Sequence, residues 1–365
     1  MWSTRILLSL LASSNTFLRT HALRIAITGS SQGIGMEAAK SLVRDGHTVY
    51  HACRSLERAQ VAVDGAGGGI PLVCDLADFD SVRSFASEIQ KEEVCEGGLD
   101  VLCLNAGVAP STKVGPDVVP QRTKQGYEIC IGTNHLGHFL LASLLQTSLA
   151  SRNGLLVTTA SSVHDPDQPG GAVGGKGGAT LGDLSGLGVT DTKGATMIDG
   201  SLEYDGGKIY KDSKLANMIF CREATKRWGG NGGGSVTAGG TPNTEATTTG
   251  GGLRIRSFSP GFIPASGLFR EPRKDNWFFA NAFTIVAGLI GFAVPITVGG
   301  DRLAYMATAS DNDVPSGSYY TADTGSRAVK LEDGFGPGIV SREAADEDLG
   351  RRLWEKSVLL VGVTE

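Results

Sequence analysis

Apolar runs of strand length alternate with segments of helical spacing along most of the chain. Leu23–Gly29 (LRIAITG) is almost continuously apolar and ends in glycine, the pattern of a strand buried on both faces of a parallel sheet. Ile34 to Asp45 then carries apolar residues at helical spacing and stops at Gly46, a residue suited to a left-handed helix end. His47–Arg54, Ile70–Leu76 and Leu99–Gly107 read as further strands, with a helical segment ahead of each of the last two. A longer helix follows over about Thr133–Leu149, then the strand Gly154–Ser162. A helix carrying Tyr210, the strand Leu253–Gly261 and a last strand at Ser316–Asp323 complete the series. Repeated βα units of this length predict an α/β fold: a doubly wound parallel sheet covered by helices on both faces, in a single domain over residues 23–365.

Several stretches depart from this alternation. Residues 229–252 are rich in glycine and poor in side chains able to pack, which reads as a flexible surface insertion. Asp165–Gly207 mixes glycine-rich turns with the apolar anchors Leu181, Leu184, Leu187, Met197 and Ile198; a loop of that length inside a compact domain is usually functional. Residues 276–300 carry no charge and read as an apolar lid or membrane-docking segment. A buried helix and a true membrane span are the alternatives, the span being weakened by Gly288, Gly291 and Pro295. Residues 1–22 have a basic start, a short apolar run and no acidic residue, which reads as a targeting leader outside the fold.

Composition changes the picture little. A chain of 365 residues, 41% apolar and 19% charged, can bury a sizeable core. The formal net charge of -5 offers no electrostatic footprint for nucleic acid, so that class of partner is excluded. The 6 cysteines form no CxxC pair and no metal-ligand spacing, so they read as buried reduced thiols and no metal site is expected.

The first strand-to-helix turn carries candidate chemistry. TGSSQGIG (Thr28–Gly35) provides glycines at Gly29, Gly33 and Gly35 for a tight turn, and with Ser31 and Ile34 it opens a helix whose positive end suits a pyrophosphate. This is a Rossmann-type nucleotide turn with the spacing GxxxGxG. The second strand ends in Arg54, with Arg58 one turn on, where an NAD-binding chain would offer a carboxylate to the ribose. Guanidinium groups there suit a 2′-phosphate, which points to NADPH.

Tyr210 and Lys214 lie four residues apart on one helix face. A cation within about 4–6 Å lowers a phenol's pKa by ~1–3 units, which would ready it for proton exchange. Ser162, at the C-terminal end of a strand, lies where ligand crevices form in open α/β sheets. Taken with Asn134 in GTNHLGHF, these residues resemble the short-chain dehydrogenase/reductase superfamily. That resemblance implies a catalytic set of Asn134, Ser162 (with Ser161 as the fallback), Tyr210 and Lys214. Tyrosine would be the acid/base, lysine would tune it and hold the nicotinamide ribose, serine would polarise the substrate, and asparagine would anchor a relay water. It also implies cofactor contacts from Asp75, Leu76, Asn105, Ala106, Gly107, Tyr210, Lys214, Pro260 and Gly261.

LGDLSGL (Leu181–Leu187), MIDG (Met197–Gly200), YKDSKLANM (Tyr210–Met218), SPGFIPASGLFRE (Ser259–Glu271) and LWEKSVLLVG (Leu353–Gly362) resemble, within that superfamily, the light-dependent protochlorophyllide oxidoreductases. This implies NADPH as hydride source, protochlorophyllide or another large apolar small molecule as partner, a plastid location peripheral to thylakoid or envelope, and a homo-oligomer as one assembly state. Ser259-Pro260-Gly261-Phe262 departs from that family's Tyr-Pro-Gly-Cys. A phenyl group stacks on a macrocycle but donates no proton. Phe262 and the run Ser161-Ser162-Val163-His164 therefore point to a second reading, a dark NADP(H)-dependent enzyme acting on a retinoid, carotenoid or similar lipid. A pigment-binding scaffold without turnover is the third.

Overall fold

The computed structural model describes residues 22–110, 114–115, 118–168, 171, 178–190, 197–230, 252–269, 293–322 and 330–364. In chain order the first half comprises β1 (Arg24–Thr28), α1 (Gly33–Arg44), β2 (Thr48–Cys53), α2 (Leu56–Ala66), β3 (Ile70–Val73), α3 (Phe79–Ile89), β4 (Val101–Leu104), β5 (Val114–Gly115), α4 (His138–Ala150) and β6 (Leu155–Thr159). The second half comprises β7 (Tyr204–Asp205), α5 (Gly206–Trp228), β8 (Arg254–Phe258), α6 (Ile296–Thr308), β9 (Tyr319–Ala322), β10 (Phe335–Pro337) and α7 (Glu347–Val361).

Eight strands form one sheet in the order β10-β9-β8-β6-β4-β1-β2-β3, parallel throughout except β10, which runs antiparallel to β9. The doubly wound α/β fold expected from the alternation is therefore present. The chain reverses direction across the sheet between β1 and β4, and the C-terminal ends of those strands flank the crevice where such sheets hold ligands. β5 and β7 pair separately as a small antiparallel sheet. β5, β7 and β10 run for only two or three residues, too short to leave a periodic signature.

Local chemistry fixes the helix boundaries. Side chains of Ser55, Asp78, Asp205 and Asp346 accept hydrogen bonds from first-turn amides of α2, α3, α5 and α7. Gly46, at φ +85, follows α1 as the sequence predicts. One face of the sheet is packed by α3, α4, α5 and α7 around Phe139, Phe220 and Trp354, with Phe139 and Trp354 centroids 4.9 Å apart. The other face is covered by α1 and α6 through Leu42, Leu303 and Met306. A Cβ at Gly300 would lie 2.8 Å from the Ala38 nitrogen, so glycine there lets α6 approach α1 closely. All 6 cysteines are buried and free.

The apolar segment 276–300 is placed differently from expectation at its end. Residues 276–292 lie outside the described residues, but Val294 and Val298 are buried against Ile263, and Ile296 opens α6. Its last residues are therefore core, held there by contacts with α1 that no local pattern encodes. Among the described residues no helix is long and apolar enough to cross a membrane. The expected leader (1–21 of it) and most of the glycine-rich insertion (231–251) lie outside the described residues.

Candidate active site

The glycine turn follows β1 and requires its glycines. Gly29 sits at φ +70, and a Cβ there would lie 2.9 Å from the Ala106 backbone. A Cβ at Gly35 would lie 2.6 Å from the Asn105 amide and 2.7 Å from the Gly29 carbonyl. Gly33 is at φ +66 and faces open space. The turn thus packs its backbone directly on Asn105 and Ala106 and opens to free space at Gly33, at the N-terminus of α1, an arrangement that fits a dinucleotide pyrophosphate. Ser31 and Ile34 are partly exposed at its rim. Asn105 and Ala106 are pinned beside it: both donate backbone N–H bonds to Thr28 Oγ1 (2.9 and 3.0 Å), and the Asn105 amide donates to the Thr28 carbonyl at 3.0 Å. These bonds end β4 at Leu104, earlier than the strand expected to run to Gly107.

Arg54 is exposed at the end of β2 and Arg58 half-buried on α2, with no salt bridge for either among the described residues. Asp75, beyond β3, accepts the Ala77 N–H at 3.0 Å, and the Leu76 side chain is buried. Leu76 also touches Gly137 closely, so the β3 end abuts the segment carrying Asn134.

That segment is not the regular helix the sequence predicts. Gly132–Gly137 is π-helical between the turn Ile129–Ile131 and α4. A π turn shifts the hydrogen-bond ladder and recurs at functional sites. The Asn134 side chain donates to Val108 O and Ser213 Oγ (both 3.0 Å) and accepts the Val108 N–H at 2.8 Å. Its amide is thus committed to tying the β4 exit to α5. Cys130, fully buried, lies 3.2 Å from the same amide nitrogen.

On α5, Lys214 is buried and donates to the Thr159 carbonyl at the end of β6 (3.0 Å), 5.8 Å from the Tyr210 ring centroid. A Cβ at Gly107 would lie 3.5 Å from Asn134 Oδ1 and 3.8 Å from Lys214 Nζ, so Gly107, Asn134 and Lys214 share one spot. Ser162 begins a short 3-10 turn packed against α5, and its N–H donates to Ser259 Oγ at 3.1 Å. Ser161 Oγ accepts the Val163 N–H at 3.4 Å, and the Ser162 hydroxyl makes no hydrogen bond among the described residues.

Electrostatics correct one expectation. Burial raises the Tyr210 phenol above its ordinary value, with buried Cys130 adding to the shift, rather than Lys214 lowering it. Burial also lowers Lys214 to about 8. Desolvation outweighs the cation–phenol attraction in the protein alone.

Pro260 and Gly261 form the bend after β8. Arg302, wholly buried in α6, donates to the Pro260 carbonyl at 2.8 Å, and Gly261 is at φ +92 where a Cβ would meet Val294. The Phe262 carbonyl accepts the Val294 N–H at 2.8 Å. His164 donates from Nδ1 to the Ser161 carbonyl at 2.7 Å and accepts the Ser341 N–H, so both ring nitrogens serve the scaffold. Gly267 packs directly on the Gln32 side chain, bringing the segment after Phe262 over the nucleotide turn.

Sequence reading missed the supporting residues. Lys208 bridges Asp212 at 2.7 Å, Asp199 at 3.1 Å and the Thr180 carbonyl at 2.9 Å, clamping the long loop to the start of α5. The anchors expected in that loop, Leu181, Leu184, Leu187, Met197 and Ile198, are all buried. The one local sign of the clamp was the run Tyr210–Lys214, whose interior residues Lys211, Asp212 and Ser213 are also buried.

A doubly wound sheet with this glycine turn, and with Gly107, Asn134 and Lys214 brought together beside Tyr210, has the architecture of a short-chain dehydrogenase/reductase. Residues 24–173 match the family described as short chain dehydrogenase. The chain is 34% identical over 352 residues to protochlorophyllide reductase A, chloroplastic, of Triticum aestivum, covering 93% of this chain and 80% of that one. Identity to the protochlorophyllide reductase of Avena sativa is also 34%, over 93% and 99%. Among solved structures, an uncharacterised protein from Mycobacterium paratuberculosis superposes with a TM-score of 0.61 at 26% identity, covering 93% of this chain and 94% of that one. A short-chain type dehydrogenase/reductase from Mycobacterium marinum gives 0.56 at 21% identity over 83% and 94%, a likeness of fold. Within the short-chain dehydrogenases, the chain belongs to the protochlorophyllide reductase family.

Proposed function

We propose that this chain reduces protochlorophyllide with NADPH in a light-driven reaction. The observation that supports this reading is the 34% identity over 93% of the chain to reductases of that name, together with Lys214 Nζ held 5.8 Å from the Tyr210 ring and close to Asn134. Bound NADPH would supply a hydride. The amides of the Gly29–Gly35 turn would bind its pyrophosphate, Arg54 and Arg58 the 2′-phosphate, and Asp75 and Leu76 the adenine side. Asn105–Gly107 and Lys214 would seat the nicotinamide ribose, with Pro260 and Gly261 beside its amide. A phenol raised by burial stays protonated at neutral pH, so Tyr210 is charged with the proton it would give. Ser162 would orient the substrate.

The relatives from Triticum aestivum and Pisum sativum are named as chloroplastic. With the acid-poor residues 1–22, that supports a plastid location, and the uncharged stretch 276–292 ahead of the buried end of the apolar run supports peripheral contact with a thylakoid or envelope membrane.

Phe262 favours a second reading, a dark NADP(H)-dependent reaction that reduces another large apolar carbonyl or oxidises the corresponding alcohol, because it brings no acidic proton to the bend after β8. One experiment separates the readings: purified protein is mixed with NADPH and protochlorophyllide, and spectra are recorded before and after a flash. A product band appearing only after the flash supports photoreduction. Pigment bound without conversion points to a scaffold, and absence of pigment binding points to the dark enzyme.

A further inference from the structure

β2 contains an imidazole where its neighbours on the same face, Val49 and Cys53, are apolar. His51 is wholly buried, and an unpaired polar ring there would be costly. Both of its nitrogens are engaged: Nε2 lies 3.0 Å from the Gly68 carbonyl and Nδ1 lies 3.0 Å from Ser30 Oγ. A carbonyl only accepts, so Nε2 carries the proton. Burial lowers the pKa of the ring and keeps it neutral, which leaves Nδ1 as acceptor and the Ser30 hydroxyl as donor. Cys53 Sγ lies 3.7 Å from the same hydroxyl.

The chain makes room for this bridge. Gly69 is at φ +108, and a Cβ there would strike the His51 ring and lie 2.6 Å from the Val49 carbonyl. At the other end of the bridge, Ser30 is the third residue of TGSSQGIG and is itself wholly buried, while its neighbour Ser31 is partly exposed. Ser30 is thus turned into the protein, while Ser31 and Gln32, the next residues of the turn, are progressively more exposed.

We propose that His51 is a positioning residue for the dinucleotide: by accepting from Ser30 it holds the phosphate-binding turn in its binding conformation before ligand arrives. This rests on the NADPH reading above. Pre-organisation of this kind acts on affinity, because the cost of ordering the turn is met at folding and not at binding.

The test is a double-mutant cycle in NADPH affinity, followed by nicotinamide fluorescence on the full chain, using His51→Met, Ser30→Ala and the pair. Each single change should weaken NADPH about three- to tenfold, the worth of one buried hydrogen bond with its partner left unmet. The double variant should be no weaker than His51→Met alone, since that change already removes the bridge to Ser30 and the donor to the Gly68 carbonyl, and losing the Ser30 hydroxyl then takes away no further partner of His51. The KM for NADPH should rise more than kcat falls. Ser30→Ala, a small change at the crevice, keeps the test open if His51→Met does not fold. Unchanged affinity in the single variants, or losses that multiply in the double, would overturn the role of His51. Failure of the unaltered chain to bind NADPH would overturn the cofactor reading itself, and the two failures are told apart by that first measurement.

Discussion

Thr28 donates a hydrogen bond to Nε2 of His138 across 3.0 Å, joining the strand beneath the nucleotide turn to the helix that follows Asn134. The direction is set at the other side of the ring, where Nδ1 donates to the Asn134 carbonyl at 3.0 Å. Thr28 Oγ1 also accepts the Asn105 and Ala106 N–H groups. One buried hydroxyl therefore links the nucleotide cradle, the β4 exit and the π-helical turn. Thr28→Val should cost about 1–3 kcal/mol, because it leaves the partly buried Ala106 N–H and one buried ring nitrogen of His138 without their partner, while the Asn105 N–H keeps the Cys103 carbonyl. Urea unfolding would measure it; a change below 1 kcal/mol would show the network to be dispensable.

The acid expected of Tyr210 is tested by Tyr210→Phe. Turnover should fall by about 100-fold or more, the usual worth of a positioned acid, with NADPH affinity close to unchanged. Lys214→Met should lower both turnover and affinity. A Tyr210→Phe enzyme with full turnover would transfer the proton role elsewhere.

Lys214 predicts an alkaline limit. Its pKa is lowered to about 8 by burial, so above that pH it loses its charge beside the phenol and the rate should decline. The sign for stability is opposite. Between the folded value near 8 and the ordinary 10.5 the unfolded chain binds more protons, so stability from this group rises with pH. A rate profile flat from pH 7 to 10 would contradict the assignment, as would an unchanged alkaline limb in Lys214→Arg.

Acid should unfold the protein through two histidines. Burial lowers His135 to about 4 and His138 to about 3 from an ordinary 6.5. Below about pH 6.5 the unfolded chain takes up protons that the folded one refuses, so stability present above that pH is lost as pH falls towards 4 and 3. Chemical unfolding at a series of pH values checks this, and His135→Leu should flatten the upper part of the decline.

The preference for the phosphorylated cofactor that we propose for Arg54 can be tested directly. Arg54→Asp should raise the KM for NADPH at least about tenfold and spare or improve use of NADH, as expected from replacing a phosphate partner with a ribose partner. Equal effects on both cofactors would remove Arg54 from the site.

Much of the site was legible because its signals are local. A glycine at positive φ, as at Gly29 and Gly33, marks a turn whatever packs around it, and residues four apart on a helix share a face in any fold. The residues behind the site were not legible. Nothing near Asn134 in the chain says that its amide will be spent on Val108 and Ser213, or that the helix there will widen into a π turn. His51 and Ser30 are 21 positions apart, and only the pairing of β1 with β2 brings them into contact.

The amino-acid sequence by itself determined the strand–helix alternation, the nucleotide turn and the Tyr210–Lys214 face, since each follows from short-range periodicity or from backbone conformations only glycine tolerates. Tertiary structure alone decided that the end of the apolar run 276–300 is core, that the Asn134 amide is spent on Val108 and Ser213, and that burial raises Tyr210. Those outcomes depend on desolvation and on hydrogen-bond partners supplied by segments far apart in the chain, and neither exists until the sheet has assembled.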